Sequence, residues 1–184
     1  KLDSSNSLGE GASGQVYQVC YDGNCNYALK IRKSNVEEPL TKQELDNQRK
    51  CAKYGICKPV EIAWYCDKKA SGIEDELVII TELLDKTLDK KLEETDVNDL
   101  VKMWSIIKKI IKLVYTLHQS AKLVHCDIKG GNIMFDKEDN AFLIDMGIAE
   151  SIYQNNFSCF GEDYTNIAEY ILTGYYDDNT YEQN

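Results

Sequence analysis

The chain has 184 residues, 43% of them hydrophobic, enough to bury a core as one domain or as two small lobes sharing one. Thirty-one acidic residues against 21 basic ones give a formal net charge of -10, which a phosphate backbone would repel; a general nucleic-acid binder is excluded. The longest apolar stretch, residues 101–117, is broken by Lys102, Lys108, Lys109 and Lys112, so no segment reads as a signal peptide or membrane span, and a cytoplasmic protein is expected. Seven cysteines (Cys20, Cys25, Cys51, Cys57, Cys66, Cys126 and Cys159) form no C-x-x-C pair and sit near no histidine at zinc-ligand spacing. They are expected to be free thiols of a reducing compartment.

In chain order, Gly9, Gly11, Gly14 and Val16 spell G-x-G-x-x-G-x-V between strand-like segments, where a dinucleotide-binding turn would instead lead into a helix. Glycines let the backbone approach phosphate oxygens and turn amide hydrogens toward them. Strands are predicted over residues 15–19 and 26–31 around an Asp22-Gly23 hairpin. The second ends on Tyr27-Ala28-Leu29-Lys30, whose lysine suits phosphate binding. Thr41 is the expected cap of a helix over residues 42–54, stopped by Gly55. On it, Glu44 is placed to keep Lys30 ionised and aimed. Strands are predicted over 61–66 and 77–81, separated by a turn containing Ser71-Gly72. A long helix capped at Thr95-Asp96 carries Leu100, Trp104, Ile107, Ile110, Ile111, Val114 and Leu117 on one face, with its lysines largely opposite. Short strands over 133–135 and 141–144, a last helix over 164–172 and an acidic tail from Tyr175 complete the pattern.

The segment His125-Cys126-Asp127-Ile128-Lys129-Gly130-Gly131-Asn132 concentrates polar chemistry. Asp127 can orient or accept the proton of an attacking hydroxyl, Lys129 can steady transferred phosphoryl charge, and the amide oxygen of Asn132 can ligate magnesium. Asp145, at the end of Phe142-Leu143-Ile144 and the start of Asp145-Met146-Gly147, can complete the metal site.

With these motifs in this order, the chain resembles eukaryotic-type Ser/Thr protein kinases over nearly its whole length. The glycine segment matches the glycine-rich loop, Tyr27 to Lys30 the V-A-I-K strand, Glu44 its helical partner, His125 to Asn132 the catalytic loop, and Asp145 to Gly147 the D-F-G. The resemblance implies an α+β, bilobal, kinase-like fold. Its small lobe (1–81) is an antiparallel sheet with one helix, its hinge is 82–84, and its reduced, mainly helical large lobe is 85–184. ATP is expected in the cleft with Mg2+, for which Mn2+ could substitute. Gly9, Gly11, Ser13 and Gly14 then surround the phosphates, Val16, Ala28 and Met134 sandwich the adenine, and Thr81 is the gatekeeper. Glu82 and Leu84 offer hinge backbone groups, Asp127, Lys129, Lys30 and Glu44 are the catalytic set, and Asn132 and Asp145 hold the metal. Lys129, two residues after Asp127, resembles the Ser/Thr branch.

Departures are expected to matter. Cys126 replaces the arginine that grips a phosphorylated activation loop, and a thiol cannot make that bidentate pair, so activity without loop phosphorylation is expected, with Cys126 itself a small core filler. Met146 replaces a phenylalanine and Gln48 an apolar residue, which softens the stack behind the site. Residues 148–184 contain no A-P-E motif and leave little room for further large-lobe helices. Asp163, before the last helix, reads either as a brace for the catalytic loop or as a helix cap. The implied partner is a protein substrate, in a host cell if the source is viral or a secreted effector, with an activating partner as one way to complete the shortened lobe. Neither nucleic acid nor membrane is expected. Two rival readings are a pseudokinase that engages a regulatory partner and a small-molecule kinase.

Overall fold

A computed structural model describes residues 6–11, 14–21, 23–33, 42–66, 76–153 and 157–173. The chain divides into two compact units, Lys1–Leu84 with Asp145–Gly147, and Asp85–Ile144 with Ile148–Asn184. The first contains an antiparallel sheet of five strands in the order β1-β2-β3-β5-β4. These are β1 (Ser7–Gly11), β2 (Gly14–Tyr21), β3 (Asn24–Lys33), β4 (Val60–Cys66) and β5 (Glu76–Glu82). The register sets one face: Val16 lies opposite Lys30, Lys30 opposite Ile79, and Ala28 opposite Thr81. Directly opposed residues share a face of the pleat, so the same side that carries Lys30 carries Ile79. Helix α1 (Gln43–Ala52) buries Leu45 on that side against Leu77 and Ile79, with Val60 and Ala63 beside them. A buried leucine of this kind contributes roughly 1.5–3 kcal/mol, and the contact fixes which way the rest of α1 faces.

The expected start of α1 is shifted. Lys42 occupies the cap position and makes no side-chain cap bond, while Thr41, like Asp22 and the Ser71-Gly72 turn, lies outside the described residues. At the other end the helix closes in a tight turn, with Gly55 at φ 68° and its N–H donating to Ala52 O. Only a residue without Cβ adopts that backbone readily. The expectation of free thiols is corrected at the β2–β3 hairpin, where Cys20 and Cys25 form a disulfide. Val19 pairs with Tyr27 but Tyr21 with Asn24; the register shift between them sets Cys20 opposite Cys25, a pairing that spacing alone does not reveal.

In the second unit, β6 (Lys86–Thr87) leads into α2 (Leu88–Glu93), a helix unforeseen in the sequence, capped by the Thr87 hydroxyl accepting from Lys90 N–H. The long helix α3 (Leu100–Thr116) is capped by Asp99, whose carboxylate accepts from Lys102 N–H, rather than by Thr95-Asp96. Asp96 closes the preceding turn instead, accepting from Asn98 N–H. After Thr116 the helix relaxes into a π-helical turn, Leu117–Ala121, and ends at Lys122 in the left-handed region. The buried side of α3 is Ile106, Ile110, Leu113 and Val114, whereas Leu100, Trp104 and Ile111 face solvent. The single broad face read from the sequence is thus two apolar stripes, one inside and one outside. Two short sheets complete the unit, β6-β8-β9 with β8 (Ile133–Phe135) and β9 (Ala141–Leu143), of which β9 touches α3, and β10-β7 with β7 (Leu123–Val124) and β10 (Glu150–Ser151), of which β7 touches the π-helical turn. Helix α4 (Phe157–Thr173) begins seven residues earlier than expected, so Asp163 lies inside it and is not its cap.

Candidate functional site

Two polar clusters form, one in each unit. In the first, Lys30 Nζ donates to Glu44 Oε1 at 2.6 Å and to Asp145 Oδ1 at 2.8 Å. Glu44 is held there because Leu45 anchors α1 on the sheet and turns the preceding residue toward β3; its side chain is only 5% exposed. A buried carboxylate is stable only when paired, and Glu44 has a second cation, Arg32, whose guanidinium lies 3.4 Å from Oε2. Lys30 has three N–H bonds, two of them committed to carboxylates, so one remains to donate to an anionic oxygen. Asp145 has a left-handed backbone, φ 62°. After it, Met146 is fully buried and its carbonyl accepts from Asn47 Nδ2 at 3.4 Å. Gln48 donates to Lys58 O at 2.9 Å and fastens α1 to the segment before β4. The expected softening at Met146 and Gln48 therefore does not take the form of a loose stack, since one is sealed and the other hydrogen-bonded.

Around this cluster, Gly9, Gly11, Gly14, Val16 and Ala28 lie on the first three strands, and Ser13 falls outside the described residues. Gly14 is obligatory for a physical reason: at φ 117°, a Cβ there would sit 2.3 Å from Ile31 O. Gly9 has open space around its Cα. At the end of β5, Glu82 pairs with Lys58 at 2.8 Å and Leu83 N–H donates to Asn26 O at 2.8 Å. Leu84 is buried, and its N–H makes no hydrogen bond among the described residues.

The second cluster is built on a loop held from below. The buried carboxylate of Asp163 takes the backbone N–H of His125 at 2.8 Å on Oδ2 and that of Cys126 at 3.0 Å on Oδ1, with His118 Nε2 also 2.9 Å from Oδ2. His125 is fully buried and its Nε2 lies 3.0 Å from Ile144 O. Cys126 takes a left-handed conformation, φ 65°, a strained turn for a non-glycine residue that these bonds hold in place. Asp127 then emerges with Oδ2 3.0 Å from Lys129 Nζ and 2.8 Å from Asn132 Nδ2, which also donates to Asp127 O at 2.9 Å. Both hydrogens of the Asn132 amide are thereby used on Asp127, leaving its Oδ1 as a lone-pair donor. Asn166 on α4 steadies the same loop through Ile128 O at 3.0 Å. Met134 sits half-buried on β8, opposite Thr87 and Phe142.

The predicted set is thus gathered as Lys30, Glu44 and Asp145 in one unit and as Asp127, Lys129 and Asn132 in the other. Sequence reasoning missed Arg32, Asn47, His118 and Asn166. Arg32 had a signal, since it follows Lys30 by two residues and so shares its strand face; His118 and Asn166 had none, because their partners lie 45 and 38 residues away. Among the described residues, no group of three or more His, Cys, Asp or Glu side chains is placed to hold a metal ion. The Asp145 carboxylate in one unit and the Asn132 amide oxygen in the other are each hard oxygens of the kind magnesium takes.

The α+β fold and these clusters are those of a protein kinase, and the family model for the protein kinase domain matches residues 2–178. The chain belongs to that family. It is similar to the cysteine-rich receptor-like protein kinase 11 of Arabidopsis thaliana, 27% identical over 96% of this chain and 27% of the relative. It is also similar to the mitosis inhibitor protein kinase SWE1 of Saccharomyces cerevisiae, 29% identical over 99% of this chain and 23% of the relative. The chain therefore spans about a quarter of the length of these relatives.

Proposed function

We propose that the chain transfers the terminal phosphoryl group of ATP to serine or threonine hydroxyls of a protein substrate, without needing a phosphorylated activation loop. The observation that carries the reading is Lys30, held by Glu44 at 2.6 Å and by Asp145 at 2.8 Å with one N–H left for a phosphate oxygen. Held between these two carboxylates, the Lys30 ammonium orients the nucleotide through a charge-assisted bond. Glycines Gly9, Gly11 and Gly14, with Ser13, line the phosphates with backbone amides; Val16, Ala28 and Met134 contact the base, and Glu82 and Leu84 present hinge backbone groups to it. Asp127 orients the attacking hydroxyl and receives its proton, which the neighbouring ammonium of Lys129 favours by stabilising the charge that passes to the phosphoryl oxygens. Asn132 Oδ1 and the Asp145 carboxylate would hold Mg2+, which when bound neutralises phosphate charge. Independence from loop phosphorylation follows from Cys126, which offers no cation to a phosphate.

The test is transfer from radiolabelled ATP to a mixed protein substrate by the wild-type chain and by Asp127→Ala. Loss of the proton acceptor should lower the rate by about 10²–10⁴-fold, while a metal-dependent rise in melting temperature with ATP persists in both. Equal incorporation by the two chains would refute transfer, and no thermal shift with ATP and magnesium would refute nucleotide binding and leave a binding module.

A further inference from the structure

Six of the seven cysteines meet in pairs that are far from obvious in the sequence. Cys20 and Cys25 are already a disulfide. Cys51 and Cys57 are free thiols in side-chain contact, sealed from solvent at 0% and 1% exposure. Cys126, in the loop that carries Asp127, is in side-chain contact with Cys159 on α4, and both are partly exposed. The backbone explains the last meeting. Asp163 accepts Cys126 N–H at 3.0 Å, and Cys159 lies four residues earlier on the same helix, one turn along the face that touches the loop.

We propose that Cys126 and Cys159 are a redox modification site, a thiol pair that peroxides convert to a reversible disulfide between the loop preceding Asp127 and helix α4. The partners are within reach, and solvent can bring the oxidant, which separates this pair from the equally close but sealed Cys51 and Cys57. The roles of the two sulfurs differ. Burial first, then the Cys159 thiol and the negative charges of Asp163 and Glu150, push the Cys126 thiol well above its ordinary range, so it keeps its proton. Cys159 therefore reacts first: its sulfur attacks one peroxide oxygen, the O–O bond breaks, and a sulfenic acid and one water result. The Cys126 sulfur then displaces the sulfenic hydroxyl, its proton leaves with that hydroxyl as a second water, and the S–S bond forms. Two thiols are oxidised by two electrons and one peroxide is reduced to two waters. A dithiol reductant reverses the change. Because the loop is already docked on α4 through Asp163 and Asn166, the bond fixes the loop where it stands.

This inference does not rest on phosphoryl transfer, and its test needs no substrate. The full chain is treated with a small excess of hydrogen peroxide, digested under non-reducing conditions and mapped by mass spectrometry, with melting temperature read in parallel. A peptide cross-linked between Cys126 and Cys159 should appear and vanish with dithiothreitol, while Cys51 and Cys57 remain alkylatable after unfolding. Melting temperature should rise by about 5–10 °C, and Cys159→Ser should abolish both the cross-link and the rise. Oxidation of Cys51 with Cys57 ahead of this pair, accumulation of uncross-linked sulfinic acid, or a melting temperature that rises equally in Cys159→Ser would overturn the proposal.

Discussion

Replacing Asp163 tests whether the loop that carries Asp127 is held by one buried carboxylate. Its two oxygens serve three groups: the N–H of His125 at 2.8 Å and His118 Nε2 at 2.9 Å share Oδ2, and the N–H of Cys126 at 3.0 Å uses Oδ1. In Asp163→Ala all three lose their acceptor. An unmet buried donor costs about 1–3 kcal/mol, and water can reach the partly exposed Cys126, so the two donors left should cost about 2–6 kcal/mol in total. Asp163→Asn restores one oxygen. Placed at the Oδ2 position it still serves His125 and His118, but the amide NH2 then faces the Cys126 N–H, donor against donor, for about 1–3 kcal/mol. The reverse flip is worse, since His118 could accept from the amide only by moving its proton to Nδ1, a buried atom with no partner. Urea unfolding should therefore rank wild type above Asn above Ala. At about 2–4 °C per kcal/mol for a chain of this size, the melting temperature should fall by about 2–12 °C for Asn and by about 4–24 °C for Ala. Amide exchange at His125 and Cys126 should accelerate in both. A loss below about 1 kcal/mol in Asp163→Ala, or unchanged exchange at those two amides, would refute the reasoning.

Two further substitutions probe the frame. Gly14→Ala should destabilise the first unit by about 1–3 kcal/mol in urea unfolding, because the new Cβ would meet Ile31 O at 2.3 Å and the backbone is at φ 117°; Gly9→Ala, with open space, should stay within about 0.5 kcal/mol. Asp139 bridges Lys91 and Lys109. Burial opposes its ionisation, but hydrogen bonds from Lys109 and Lys91 outweigh burial and hold its carboxyl below the ordinary 3.8. A depressed carboxylate stabilises the fold above the unfolded value and loses that contribution as pH falls through the folded one. Asp139→Asn should thus cost about 1 kcal/mol at pH 7, discounted for its half-exposed side chain, and the difference should shrink in unfolding curves as pH falls below 3.8 and be lost once pH has passed below the depressed folded value.

What could be read from the sequence was whatever is local. The β2–β3 hairpin, the stop at Gly55 and the strand Ile133–Phe135 follow from turn chemistry and alternation over a few residues. The kinase signature set orders Lys30, Glu44, Asp127, Asn132 and Asp145 along the chain before any coordinates are known. Helix starts were less legible. Lys42 makes no side-chain cap bond, and for α3 the rival acids Asp96 and Asp99 lie three residues apart, so composition does not say which one caps the helix and which closes the turn.

The misjudged parts are those whose energies come from distant partners. The outward stripe of α3 was counted with the core because a period of 3.6 residues identifies apolar positions without saying which are covered: Trp104 is 57% exposed, whereas Val114, also apolar and ten residues on, is fully buried. Asp163 shows the same limit from the other side. In sequence it is one acid among several before a helix, equally consistent with a cap. In the fold, burial removes water from its oxygens, so protein donors must meet them, and the donors within reach are two amides of the loop that carries Asp127 together with the His118 ring. The expense of burying that charge is what makes it a positional device, because a carboxylate that must be saturated tolerates only one placement of the chain that saturates it.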